Sequence, residues 1–480
     1  MLKKKYPDWV LKHKEKNREI RFLNKTYYLY EMKSIWDENK KRSKKVTGTY
    51  LGKITEEGLI EPKHKRVLSS LKNITIKEYG ASSLLNILEK DLKIKLEKYF
   101  PKDWEEIFLF AVFRFFESSP IKNMNHHFIH SYFSDIFPKA NLLPRNVSNK
   151  LEKIGSNRGQ MILFMQELAV GSKNLIVDLT HIFSSSENLT GLSFGHNSNE
   201  EYHKQMNMLL LFSKEKEEPI YFRMLDGAIR DISSIKNTIE ESGIKDAVFV
   251  GDKGFFSDSN KEILKEKNVQ FILPLKRNSS YIDYNIMKSQ NKKSFDGYLF
   301  YNKRHIWFKE QLYDNKRIVL FFDEKLKVDE SNSFLNRVEK EHEEISEFHE
   351  KEFTFGTISV IVNSNNLNPK EIYEFLKART NIENVFDTFK NTLEADKTYM
   401  QNDEKFQGWM FINFIALKMY YTLYGILLKN NLLNIYSPRD ILLHFSKIHI
   451  VKIGEKSIQS EIPKTTRILM EKIKVVLPIT

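Results

Sequence analysis

Three acidic side chains stand where a carboxylate is costly, and their surroundings point to the chemistry. Asp178 interrupts the apolar run LIVDLT, where strand alternation sets it on one face with Ile176 and Thr180. A lone carboxylate inside an apolar strand costs free energy unless it binds something. Asp252 ends a second apolar run, AVFVGD. A short apolar run bounded by glycine reads as a strand covered on both faces. If the two strands are neighbours, both carboxylates reach one sheet edge, the crevice where open α/β sheets bind ligands. Two such acids repel each other, and a divalent cation is the usual resolution. Mg²⁺ takes hard oxygen ligands, commonly only a few of them from protein.

The third acid lies in ARTNIENVFDTFK, where Arg379, Glu383 and Lys390 recur at i, i+4 and i+11, nearly one line on an α-helix. Ile382, Phe386 and Phe389 make the adjoining apolar stripe. The helix should therefore pack one edge on the core and present Arg, Glu and Lys beside it. A carboxylate flanked by two cations suits a metal ligand next to phosphate-holding groups. An ordinary surface helix with an i,i+4 ion pair has the same spacing.

These side chains need a sheet and a long helix to hold them. From about residue 172 to 280 strands and helices alternate: NLIVDLT, EPIYFRML, a helix from about Ile232 to Ser242, AVFVGD, a helix around 258–267, then VQFILPL. That alternation predicts a sheet with crossover helices. Short strands such as GYLFYNKRHIWF and RIVLFFDE, followed by the charged VEKEHEEISEFHEKE, read as a mostly β insertion over 281–368. A long helix from Pro369 to Leu393 follows. Upstream, TYYLYEMKSIW and VTGTYLGKI alternate like antiparallel strands around the charged hairpin tip DENKKRSKK. The helical stretch after them opens with Asp103 and Glu106 in capping-box spacing before IFLFAVFRFF. It continues with NVSNKLEKIGSNRGQMILFMQEL, which is broken at Gly155 and has the form of a small helix-turn-helix. The expected organisation is a basic β-rich segment at 1–66, a helical DNA-binding region at 67–170 and an α/β catalytic domain in two parts, 171–280 and 369–430. The insertion at 281–368 separates those parts, and a tail at 431–480 ends the chain.

Composition narrows the partners. The 480 residues hold 76 Lys+Arg against 63 Asp+Glu, a formal net charge of +13, and residues 1–50 carry 15 of the cations against 6 acids. Such a basic arm favours a polyanion. The absence of cysteine excludes disulfides, thiolate metal sites and a cysteine nucleophile, and fits a reducing compartment. MLKKKYPDWVLKHKEK has no apolar signal core, so a cytoplasmic protein is expected. Trp409 to Leu428 has the length of a membrane-spanning helix, but Lys418 and Asn413 interrupt it, so a buried core helix is expected and no membrane partner.

The series Asp178, Asp252 and Glu383, the last set in R-x3-E-x6-K, resembles the DDE transposases of bacterial insertion sequences, in the group with the signature Y-x2-R-x3-E-x6-K. GAIRDISSI, GDKGFF and GWMFINFIALKMYYTL have the look of the same group, so the resemblance spans nearly the whole chain. It departs at the signature tyrosine, whose place is taken by Leu376. The resemblance implies a ribonuclease H-like catalytic fold with the mostly β insertion between the second Asp and the Glu. It implies two Mg²⁺ ions, replaceable by Mn²⁺, held by Asp178, Asp252 and Glu383, with Arg379 and Lys390 on the DNA phosphates. The activity implied is cleavage and strand transfer at terminal inverted repeats, by a homodimer in a synaptic complex with nucleoid DNA as target.

Two other readings stay open on the residues. Asp178-Leu179-Thr180 and Gly251-Asp252 with Asp258 are loosely similar to phosphatases of the haloacid dehalogenase type, which form an aspartyl-phosphate. A catalytically inactive DNA-binding relic is the other. NHHFIH sets His126, His127 and His130 at helical spacing, though an ordinary polar face accounts for them. Trp307 could stack on a flipped base, but sheet packing is the commoner fate of such a residue.

Overall fold

The computed structural model describes residues 6–478 apart from 39, 64, 66–73, 196–202, 228–231, 245–247, 252–269, 290, 314–315, 341, 365 and 455. The chain divides into two compact units, residues 79–447 with 462–477, and residues 1–78 with 448–461 and 478–480.

An eleven-stranded mixed sheet runs through the larger unit. In chain order its main strands are β1 (Asn174–Ser184), β2 (His203–Ser213), β3 (Glu218–Asp226), β4 (Val248–Val250), β5 (Gln270–Pro274), β6 (Gly297–Tyr301), β7 (Arg304–Tyr313), β8 (Lys316–Asp323) and β9 (Thr357–Val362). β1, β2 and β3 form an antiparallel meander. β4 then lies parallel to β1, with Val250 opposite Ile176, and β5 lies parallel to β4. The sequences fit this placement. VFV and FILP are buried throughout, as strands covered on both faces must be. The helix expected after β3 is present over Ile232–Ser242. The one expected around 258–267 lies outside the described residues.

The strands of residues 281–368 extend the same sheet outward. β9 pairs antiparallel with β5, and β8, β7 and β6 follow outward in the same sheet. RIVLFFD and TISVIV are apolar at consecutive positions and buried on both faces, so each needs a neighbour on either edge. β5 supplies the inner one. The charged stretch after β8 folds as two helices, Glu324–Glu339 and Ile345–Lys351.

Five helices matter below: α1 (Trp104–Glu117), α2 (Pro144–Gly155), α3 (Arg158–Ala169), α4 (Pro369–Asp387) and α5 (Asp403–Lys429). α5 is long and apolar enough to cross a membrane, yet 61% of its apolar window is buried inside the protein. Its two polar interruptions have partners, since Lys418 pairs with Glu218 of β3 and the fully buried Asn413 bonds Arg114 of α1. α2 and α3 do form two helices joined at Ser156 and Asn157. Both spend their apolar faces in the interior, with Val147, Leu151 and Ile154 of α2 buried and Phe164 of α3 edge-on to Phe411 at 5.5 Å. The capping box expected at Asp103 is not formed. Its carboxylate binds Lys150 and Lys153 instead, which together hold it below the usual carboxylate range against the opposing effect of burial.

The smaller unit holds a four-stranded antiparallel sheet, Arg18–Leu23, Thr26–Asp37, Arg42–Thr55 and Gly58–Ile60, over a small core of Val10, Leu29 and Ile54. The expected hairpin is thus present, with a tighter tip than expected because Asp37 already pairs with Arg42. A second sheet joins Ile74–Glu78 to the hairpin His449–Ile453 and Lys456–Gln459.

The contact between α2 and α5 depends on glycine. A Cβ at Gly155 would fall 1.7 Å from the carbonyl oxygen of Glu404, and one at Gly408 2.1 Å from that of Leu151. Gly→Ala inside a helix ordinarily stabilises by about 1 kcal/mol. Here the sign should reverse: Gly155→Ala is expected to lower the unfolding free energy by about 1–3 kcal/mol or more, read from urea midpoints.

Candidate active site

The site is assembled from β1 and α4. Asn368 accepts from the amide of Glu371 at 3.0 Å while the Glu371 carboxylate accepts from the amide of Asn368 at 2.9 Å, a capping box with Pro369 in the first turn. From that fixed start α4 packs against β1 and β4. Its expected stripe is the buried one: Ile382 and Phe389 are fully enclosed and Phe386 nearly so.

Packing that stripe brings the polar line of the helix to Asp178. Arg379 Nη2 lies 3.7 Å from Asp178 Oδ2 and 3.6 Å from Glu383 Oε1. The two carboxylate oxygens are therefore no more than about 7.3 Å apart (3.7 + 3.6). Asp178 is held on the strand by the amide of Leu179, which donates to its Oδ1 at 2.8 Å. Exposure grades across the cluster, with side chains 15% exposed at Asp178, 20% at Arg379 and 56% at Glu383. The arrangement is one cation between two acids, anchored on the strand side and open to solvent on the helix side.

Asp252 lies outside the described residues, as does Asp258. Along the sequence, Asp178 follows Ile176 by two positions and Asp252 follows Val250 by two, and Ile176 and Val250 are register partners. Among the described residues no group of three His, Asp or Glu side chains comes together as a metal site.

Lys390 departs from the expected line. The α-helical hydrogen bonding ends at Asp387, and Thr388–Thr392 form a π turn, closed by Leu393 N to Thr388 O at 2.9 Å. The α-helical spacing that would align Lys390 with Arg379 and Glu383 therefore does not hold in that turn. Its ammonium is half-buried, and burial lowers its pKa, opposed by Asp396.

Leu376 is a core residue, packed with Val250, Ile272 and Tyr373. Tyr373, one turn earlier, is completely buried and does not supply the missing phenol at the surface. His126 and His130 face each other with ring centres 4.7 Å apart, and His127 Nδ1 lies 3.7 Å from Glu117. Trp307 packs on its sheet against Phe295 and Tyr298, with Lys292 over its ring.

Two arginines hold the chain where α4 and its π turn end. Arg114 of α1 is buried, stacks on Trp409, and donates to Asn413 Oδ1 at 3.0 Å, to the Ser119 carbonyl at 3.0 Å and to the Leu393 carbonyl. Arg439 donates to the Thr392 carbonyl and to Ser118 Oγ, which itself donates to Thr392 O at 3.2 Å. The last carbonyls after the π turn thus end on two guanidinium groups. Burial pulls Arg114 down to about 10, with Glu394 opposing, so it stays charged at neutral pH. A lone arginine inside FAVFRFF was the sequence signal for this role.

Residues 173–419 match the family model described as Transposase DDE domain, just over half of the chain. No curated protein matches the chain. Among solved structures it is similar to a piggyBac transposase synaptic complex with hairpin DNA, at 10% identity over 78% of this chain and 76% of that one, with a TM-score of 0.38. It is also similar to a pre-cleavage Mos1 transpososome and to a Mos1 transposase paired-end complex with the left transposon end. Each of these is 10% identical over 34% of this chain, with a TM-score of 0.15, covering 57% and 56% of the respective Mos1 chains.

Arg114→Leu should leave the Leu393 carbonyl, the Ser119 carbonyl and the Asn413 amide oxygen buried and unpaired. At about 1–3 kcal/mol for each of these unsatisfied groups, the expected loss is at least about 3 kcal/mol by chemical denaturation.

Proposed function

Since the chain belongs to the transposase DDE domain family and is a DNA transposase, we propose that Asp178, Asp252 and Glu383 are its three catalytic acids. The observation that carries this reading is the placement of one guanidinium between Asp178 and Glu383, at 3.7 and 3.6 Å. Two carboxylates from distant parts of the chain are brought within the reach of a shared cation. Their hard oxygens, one shielded and one solvent-exposed, suit Mg²⁺, which keeps several waters, and Mn²⁺ suits the same ligands. A separation of at most about 7.3 Å also suits a pair of ions ~4 Å apart, each ~2 Å from a carboxylate oxygen set off the line that joins them. The chemistry such a pair of ions supplies is activation of an attacking water or 3′-hydroxyl and stabilisation of the leaving oxygen.

The residues of the chain do the rest. Asp178 is the rigid ligand, fixed by β1 and the Leu179 amide. Glu383, more exposed, closes the site from α4. Arg379 neutralises the acids in the free protein and turns its fork to the scissile phosphate when DNA is bound, with Lys390 a second phosphate contact from the flank. What supports a ribonuclease H-like core is the β1–β3 meander leading into parallel β4 and β5. We extend the reading to a bacterial insertion-sequence enzyme of the cytoplasm. It acts as a homodimer on terminal inverted repeats, with residues 1–170 contributing most of the end binding. The aspartyl-phosphate phosphatase reading has no support in this family.

Single-turnover nicking of duplex DNA carrying the sequences that flank the gene tests the assignment. Asp252→Asn and Glu383→Gln should each abolish Mg²⁺-dependent nicking while duplex binding stays within about twofold. Arg379→Gln should split the readouts. Cleavage should fall on the order of a hundredfold through misplacement of the phosphate. Mn²⁺ should bind about tenfold more tightly by calorimetry, because a positive charge ~5 Å from the ion has been removed. Nicking that survives in Glu383→Gln, or a wild-type chain that never nicks, would refute the assignment; the second result would mark an inactive relic.

A further inference from the structure

The end of the long hairpin in the smaller unit runs on as a two-stranded ribbon, tied to its neighbour at the base, where Thr47 bonds Arg21 and Glu19. The strand Thr26–Asp37 is flanked by Arg18–Leu23 only as far as Glu31, and Arg42–Thr55 is flanked by Gly58–Ile60 only over Lys53–Thr55. Residues 32–37 and 42–47 pair with each other and have no other sheet neighbour among the described residues. A register shift between Tyr30 and Met32 marks the point where the ribbon leaves the sheet. At ~3.4 Å per residue its six paired positions extend about 20 Å.

This ribbon carries Lys33, Lys40, Lys41, Arg42, Lys44 and Lys45 against Asp37 and Glu38, a net of +4. All six cations are exposed. Cross-strand pairing puts Lys33, Arg42 and Lys44 on one face, with Asp37 opposite Arg42, around Ile35 and Val46, which are 55% and 37% exposed. Trp36, 62% exposed, lies on the other face. Lysines alone would be explained as protection of an open edge against aggregation. Exposed Ile, Val and Trp work against that purpose, and they mark a surface that is covered when the protein works.

We propose that this ribbon inserts into the major groove of duplex DNA. It would place Ile35 and Val46 toward base edges and Lys33, Arg42 and Lys44 along the phosphates. A major groove ~12 Å wide accepts a two-stranded ribbon, and thymine methyl groups give apolar side chains a partner there. This rests on the DNA-transposase reading and assigns end binding to the hairpin. The α2–α3 pair is less suited to it, because its apolar faces are buried and two of its lysines are held by Asp103.

The test is fluorescence anisotropy of the full chain with a 30-base-pair duplex across a salt series. The variant Lys33→Ala/Arg42→Ala/Lys44→Ala is compared with a charge-matched control, Lys293→Ala/Lys325→Ala/Lys340→Ala, at exposed positions of the larger unit. Each lost phosphate contact lowers the slope of log K against log salt by about 0.9. The ribbon variant should therefore lose about 2–3 in slope and on the order of a hundredfold in affinity near 0.1 M salt, with an unchanged melting temperature. The control should stay within about threefold of wild type. Equal behaviour of the two variants, or no loss in the ribbon variant, overturns the ribbon alone. A wild-type chain that binds no duplex overturns the ribbon and the DNA-transposase reading together.

Discussion

Everything in the candidate site depends on one electrostatic constraint: two carboxylates meet at the junction of β1 and α4 only because a cation stands between them. In the free protein that cation is Arg379, at 3.7 Å from Asp178 and 3.6 Å from Glu383. At an effective dielectric of ~20, two like charges ~7 Å apart repel by about 2 kcal/mol, a sizeable share of a typical folding free energy. A site with that repulsion built in favours whatever positive charge reaches it. In the proposed mechanism the arginine is the counter-ion of the free site and turns to a phosphate once divalent ions bind the acids.

The remainder of the larger unit holds those two elements face to face. On one side the sheet fixes Asp178, with β2 and β4 as neighbours of β1. On the other, α4 is pinned at both ends, by the Asn368–Glu371 box at its start and by Arg114 and Arg439 beyond its π turn. Arg114 ties that end to Asn413 of α5, and α5 is wedged against α2 through a glycine contact at backbone distance. The helices before the sheet thus support α4, which carries Arg379 and Glu383. A change at Gly155 or Arg114, far from the acids in sequence, acts on the same geometry.

The acids of β1 and α4 were legible because their signals are local: an Asp breaking an apolar strand, and an Arg-Glu pair beside an apolar helical stripe. The helix over Ile232–Ser242 and the buried α5 were legible by the same periodicity. What failed to show depends on tertiary choice. That the strands of 281–368 extend the main sheet through β5 was not legible, because sequence carries no record of which edge they join. The line through Lys390 assumes that the helix stays α-helical, and the π turn that holds it has no composition signal. Asp103 has capping spacing but finds two ammonium groups from α2, a stronger pairing that spacing alone cannot reveal. Gly155 reads as a break between helices, whereas its smallness is needed for contact with Glu404. The position of Asp252 rests on its sequence spacing from Val250, since it lies outside the described residues.

The account is tested most directly by anomalous diffraction from crystals of the protein grown with end DNA and Mn²⁺. It predicts two manganese peaks ~3.5–4 Å apart, bounded by the carboxylates of Asp178, Asp252 and Glu383, with Arg379 turned from the acids to a phosphate. Manganese bound without Glu383 or without Asp252, or Arg379 still lodged between Asp178 and Glu383 in the loaded complex, would contradict it.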